Sequence, residues 1–172
     1  LPLWVLVTKL TFGEITNFYK LITPNIQERI LKDIHKEYTG EYKVSITDPT
    51  STLIPVFSEI LDVLVGYRNV CAHGERLFTY RTVDAIADTP LHKKLSLPQS
   101  GNQYEKGKQD LFAVVIAFRY LLPGKDFLEF KRKLIKEIDR VNREVEHISE
   151  TELLNKMGFS ENWKNITRYH LK

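Results

Sequence analysis

Arg68-Asn69-Val70-Cys71-Ala72-His73, followed by Gly74-Glu75-Arg76-Leu77, is where this sequence gathers side chains able to do chemistry. An arginine, an amide and a histidine stand together at the end of a strongly apolar, helix-patterned segment. Arginine offers a rigid fork of donors to a phosphate, and the amide can orient a neighbour. Histidine, with a reference pKa of about 6.5, exchanges protons near neutrality. These are the groups that metal-free RNA cleavage requires: a cation for the phosphate, an orienter, and an acid or base. Arg68, Asn69 and His73 are therefore the candidate catalytic residues.

Their spacing constrains how they can act. Asn69 and His73 are four residues apart and share a helical face. Arg68 precedes His73 by five residues, about 140° away around an ideal helix. All three converge only if the helix frays at Ala72-His73, or if a second copy of the motif faces the first. A simpler role exists for part of the motif, since a histidine in the last turn before a C′ glycine can cap carbonyls and favour the helix dipole. That accounts for His73 and Gly74, but not for an Arg-Asn pair adjoining the apolar Leu61–Val65 run. Cys71 and His73 lie about 200° apart on a helix, with no other cysteine to complete a structural site. His35, His92, His147 and His170 are scattered without ligand spacing, and each is expected at the surface or in a cap. No metal and no cofactor is expected, and Cys71 reads as a small core residue.

The elements that must position the motif are helical. Leu3, Val7, Leu10, Ile15, Phe18, Tyr19 and Ile22 predict one amphipathic helix, with Gly13 marking a bend or a close contact. Pro24 opens a second, with Ile26, Ile30, Ile34 and Tyr38 in a stripe and Thr39-Gly40 as its stop. A polar segment around Ser45–Pro49 leads to a third, capped by Ser51 or Thr52, with Pro55 in its first turn. Phe57, Ile60, Leu61, Leu64 and Val65 carry this helix to the motif, and Gly74 ends it. Residues 82–107 lack periodicity and read as a long basic loop or hairpin, with Lys93, Lys94, Lys106 and Lys108. Leu111–Phe118 is apolar nearly all round and predicts a buried central helix ended by Pro123-Gly124. Phe127, Phe130, Leu134, Ile138, Val141 and Val145 line the next helix, whose outer face mixes basic residues with Glu137, Asp139 and Glu144. Ser149 or Glu150 starts a short helix ending near Gly158, and Trp163 sits in a final turn. The fold class is all-α: a helical bundle with a capping C-terminal tail and a long loop after the motif helix.

At 172 residues, 42% hydrophobic and 27% charged, the chain fits one domain spanning residues 1–172 and argues against global disorder. A net charge of +3 and a pI near 8.9 permit a polyanionic partner without demanding one. One cysteine excludes an internal disulfide and fits a reducing compartment. The opening Leu1–Val7 run stops at Lys9, too short for a membrane span, so no membrane role and a cytoplasmic location are expected. The chain opens on leucine rather than methionine, and an upstream portion is expected.

The R-x-x-x-x-H motif resembles the active site of HEPN ribonuclease domains, and its full wording is similar to that of the Abi-like proteins of bacterial abortive infection. Two further stretches carry the same resemblance. Leu1-Pro2-Leu3-Trp4-Val5-Leu6-Val7, with Leu10-Thr11-Phe12-Gly13 and Phe18-Tyr19, resembles the family's opening block. Met157-Gly158-Phe159-Ser160-Glu161-Asn162-Trp163 resembles its C-terminal signature, with Ser160 where proline is usual. Gly74-Glu75 stands where relatives often carry His-Ser. The resemblance implies a HEPN-like domain forming the C-terminal part of a longer chain. It further implies a metal-independent endoribonuclease acting as a toxin-type antiphage effector. The site would be shared across a homodimer, with RNA as substrate and an RNA or protein antitoxin as a further partner. Arg76, Arg81, Lys93 and Lys94 are second-tier candidates for RNA contact. The alternative is a catalytically silent HEPN-fold module for RNA binding, protein binding or dimerisation.

Overall fold

The computed structural model describes residues 2–38 and 53–168. The side chains of residues 35–38 and 53 lie outside that description. The expected stop at Thr39-Gly40, the polar Ser45–Pro49 segment, the cap at Ser51 or Thr52, and Leu1 and His170 fall outside it too.

The described residues are all-α apart from one two-stranded turn. α1 (Leu3–Val7), α2 (Phe12–Leu21) and α3 (Pro24–Tyr38) precede the motif helix α4 (Leu53–Ala72). α5 (Pro90–Lys94) and a hairpin of β1 (Gln99–Ser100) and β2 (Gln103–Tyr104) follow. α6 (Leu111–Leu121), α7 (Gly124–Glu144), α8 (Glu150–Lys156) and a 3-10 turn at Trp163–Arg168 complete the chain. None of the described helices is long and apolar enough to cross a membrane.

The first expected helix is two. The break falls at Thr8–Thr11 rather than at Gly13, because Thr11 and Glu14 form a capping box. The Glu14 amide donates to Thr11 Oγ1 at 3.3 Å, and the Thr11 amide donates to Glu14 Oε2 at 2.7 Å. Gly13 sits in the first turn of α2, where a Cβ would meet Val65 at an ordinary 3.7 Å. Four of the five α1 side chains, Leu3, Trp4, Leu6 and Val7, are exposed, so the opening apolar run is not core.

The core is arranged as a row. α2 and α3 pack on α4, α4 on α6, α6 on α7, and α7 on α8. The helix Leu111–Leu121 is apolar all round because it serves two clusters at once. Ala113, Val114 and Ala117 face Ile60, Val63 and Tyr67 of α4. Phe112, Val115 and Ile116 face Phe127, Ile138, Phe159 and Trp163. Arg119 is the exception on this helix, buried with its guanidinium 5.4 Å from the Phe127 ring centroid. Asp110 caps α6, accepting from the Ala113 amide at 3.1 Å and from the Gly107 amide at 3.0 Å.

Residues 82–107, expected as a long basic loop or hairpin, do hold a hairpin at Gln99–Tyr104, and part of the segment enters the core. Ile86, Leu91, His92, Leu95 and Leu97 are buried in it. His92, expected at the surface or in a cap, is a cap inside the core. Its Nδ1 accepts from the Thr89 amide at 3.0 Å, so the ring proton is on Nε2 and donates to Gly107 O at 3.0 Å. Lys106 donates to Asn155 Oδ1 at 2.7 Å and to Phe159 O at 2.9 Å, tying the hairpin to the tail. Lys108 pairs with Asp88. Sequence periodicity misses this segment because its apolar residues are spread over a short helix and turns, neither long enough to show a period.

Candidate active site at the end of the motif helix

Ile60, Val63, Tyr67 and Val70 recur every three or four residues and are the buried stripe of α4. That stripe leaves Arg68, Asn69 and His73 exposed. The helix stops where Gly74 adopts φ +66°. The Glu75 amide reaches back to Val70 O at 3.1 Å and the Gly74 amide to Cys71 O at 3.4 Å, a Schellman closure with His73 as the C-cap residue. A Cβ on Gly74 would meet nothing within 4 Å, so the glycine answers to its dihedral and not to space.

Arg68 Nη1 donates to Asn69 Oδ1 at 3.2 Å. No side-chain hydrogen bond joins Asn69 to His73 among the described residues, although their spacing would allow contact. Within one chain the amide is thus turned to the arginine, and His73 is exposed at the end of the helix.

The loop leaving the motif is held firmly to the helix that carries it. The Tyr67 hydroxyl donates to Tyr80 O at 2.7 Å, with Gln109 O at 3.2 Å, and burial pushes its pKa well above the usual phenol range. Gly66 sits under this loop, where a Cβ would come within 2.7 Å of Thr82 Cγ2. A residue larger than glycine at this position would collide with Thr82.

The second-tier cations are dispersed. Arg76 is exposed, 5.7 Å from the Phe78 ring centroid on the loop just past the motif. Arg81 Nη1 lies 3.5 Å from Asp110 Oδ2, which ties it to the start of α6. Lys93 is exposed and Lys94 half-buried, both on α5. Cys71 is exposed, not core: it lies at the edge of the buried stripe, in the last turn of α4. Among the described residues, no group of three or more His, Cys, Asp or Glu could hold a metal ion.

Sequence reasoning missed an apolar cavity of about 430 Å³ that Arg68 and Cys71 help to line. Its walls come from α4, α6 and α7 with Phe12 of α2 and Leu77 past the motif, and no local pattern in any one of them announces it.

Residues 1–79 match the model of the Abi-like protein family. The matched stretch holds the opening block and the complete motif through Thr79. No curated protein and no solved structure matches the chain. The match supports the Abi-like resemblance across the part of the chain that carries Arg68, Asn69 and His73.

Outside the matched stretch, the Met157–Trp163 signature is a packing device. Met157, Phe159 and Trp163 are buried, and Phe159 and Trp163 meet edge to face at 4.9 Å. Gly158, at φ +82°, presses on Asp110, where a Cβ would fall 2.1 Å from its Cγ.

Proposed function

We propose that this chain is a metal-independent endoribonuclease of the abortive-infection type, with Arg68, Asn69 and His73 as its catalytic residues. The observation that carries the reading is the exposed cluster at the α4 terminus. Arg68, hydrogen-bonded to the Asn69 amide, and the C-cap residue His73 are all exposed there, inside the stretch similar to the Abi-like family. In the reaction, the 2′-hydroxyl oxygen attacks the adjacent phosphorus and the 5′-oxygen leaves. His73 takes the hydroxyl proton or supplies one to the leaving oxygen, and Arg68 neutralises charge growing on the phosphoryl oxygens. The products are a 2′,3′-cyclic phosphate and a 5′-hydroxyl. Asn69 holds Arg68 in place within a chain, or reaches the partner's motif in a homodimer. Arg76, with Phe78 beneath it, is the best placed of the second-tier cations for RNA backbone contact. Arg81, Lys93 and Lys94 contribute to a general attraction for the polyanion. A toxin-type effector of this kind calls for an antitoxin, RNA or protein, to spare the host.

The test is incubation of the protein with end-labelled RNA, in parallel with His73→Ala and with EDTA added. Cleavage that persists in EDTA and vanishes in His73→Ala is the expected result. The variant should melt within about 1 kcal/mol of the parent, because His73 is exposed and its side chain makes no hydrogen bond among the described residues. RNA binding without His73-dependent fragments would instead mean a silent module.

A further inference from the structure

The turn just past the motif holds an aromatic ring out toward solvent. The Tyr80 amide donates to Leu77 O at 3.2 Å, closing a tight turn with Phe78 and Thr79 at its centre. Both ends of that turn are fixed. Leu77 and Tyr80 pack against the cluster that contains Tyr67. The Tyr67 hydroxyl donates to Tyr80 O at 2.7 Å, and the two tyrosine rings meet edge to face at 5.2 Å. Tyr67 adjoins Arg68 in the chain, and Leu77 borders the same cavity as Arg68, so the turn stands beside the candidate site. Between its half-buried neighbours Leu77 and Tyr80, Phe78 is 40% exposed.

The companion of this ring is Arg76, whose guanidinium lies 5.7 Å from the ring centroid. Among the described residues Arg76 forms no ion pair with a carboxylate. Residues 74–81 hold two arginines against one acid, Glu75, so the local charge suits an anion. One ring is too small to seat a protein, which needs roughly 1,000 Å² of joint surface. A single nucleotide suits it: the base offers a flat face to the ring, and the phosphate a partner to the guanidinium. A base inside a duplex is stacked on both faces already, so only an unpaired base can use Phe78. We propose that Phe78 is a specificity-determining residue of this site, stacking an unpaired base of the bound RNA and so selecting single strands over duplexes. This role for Phe78 rests on RNA being the substrate.

The probe is a single-stranded 2′-O-methyl oligoribonucleotide of mixed sequence, which lacks the attacking hydroxyl and survives incubation. The same strand in a duplex is its control. Fluorescence anisotropy gives the affinity of each for the parent, for Phe78→Leu and for Phe78→Tyr. The parent should prefer the single strand. Phe78→Leu should weaken the single strand about tenfold, the scale of one lost base–aromatic stack, and leave the duplex unchanged. Phe78→Tyr keeps the ring and should match the parent. Equal single-strand affinity in parent and Phe78→Leu, an equal loss for the duplex, or no binding of either strand by the parent would overturn the inference. A Phe78-dependent preference for single strands without His73-dependent fragments from cleavable RNA would sustain the stacking site and overturn the nuclease reading. His73-dependent cleavage that Phe78→Leu performs as well as the parent, with equal affinity, would do the reverse.

Discussion

Arg68 and Asn69 are sequence neighbours whose side chains would diverge on a bare helix, yet the long arginine folds back to the amide oxygen at 3.2 Å. Asn69 is therefore a positioning residue for the guanidinium. Asn69→Ala should reduce RNA cleavage roughly a hundredfold, the scale of a misplaced reacting partner, with KM changed less than kcat. An unchanged kcat would remove Asn69 from the site. His92 is the other histidine with a definite environment. Burial holds its pKa below the ordinary imidazole value, opposed by its bond to Gly107. The unfolded chain therefore takes up a proton near pH 6.5 that the native chain refuses. The stability this confers is complete above about pH 6.5 and is lost as pH falls toward the folded pKa. His92→Gln should lower the melting temperature at all pH values and flatten its decline between about pH 7 and 5. Taking the difference between variant and parent cancels the opposing contribution of Asp110, whose pKa burial raises. Parallel melting curves for the two proteins would refute the argument.

At the scale of elements, α4 and α6 divide their labour differently. α4 spends one stripe on the core and keeps the rest of its last turns for Arg68, Asn69 and His73. α6 has no free face, since both of its sides are packed. The tail signature supports α6 from outside through Gly158, whose φ of +82° and contact with Asp110 leave no room for a side chain. Gly158→Ala should lose about 2 kcal/mol or more from left-handed strain and overpacking at the cap of α6. Urea denaturation of the variant checks this, and a loss under about 0.5 kcal/mol would mean the tail yields easily. Removing Trp163, fully buried against Phe159, should cost about 3–5 kcal/mol in Trp163→Ala.

For the whole molecule, a motif exposed on one helix end, with Arg68 and His73 about 140° apart, favours a site completed by a second copy. Mixed dimers of parent and Arg68→Ala subunits, isolated through separate tags, should show per-dimer cleavage well below half of the parent. Half activity, or full activity from a monomer, would place the complete site in one chain. Facing arginines repel, so RNA should stabilise the pair, and added salt should weaken RNA binding.

Much of this architecture was legible in order along the chain. The apolar period of α4, the glycine that stops it, the all-apolar α6 and the long stripe of α7 are local patterns, and local backbone geometry reproduces them. The candidate triad was legible for the same reason, because all three residues belong to one helix and its exposed side follows from its buried one. What local pattern left undecided was every property that depends on which surfaces meet. Only the tertiary structure decided that residues 82–107 enter the core and that His92 is buried. Likewise, Gly66 serves Thr82 and Cys71 opens onto a cavity because of contacts between elements far apart in sequence. Such contacts leave no period in the chain, because each is made by one or two residues whose partners are chosen by the packing of the whole.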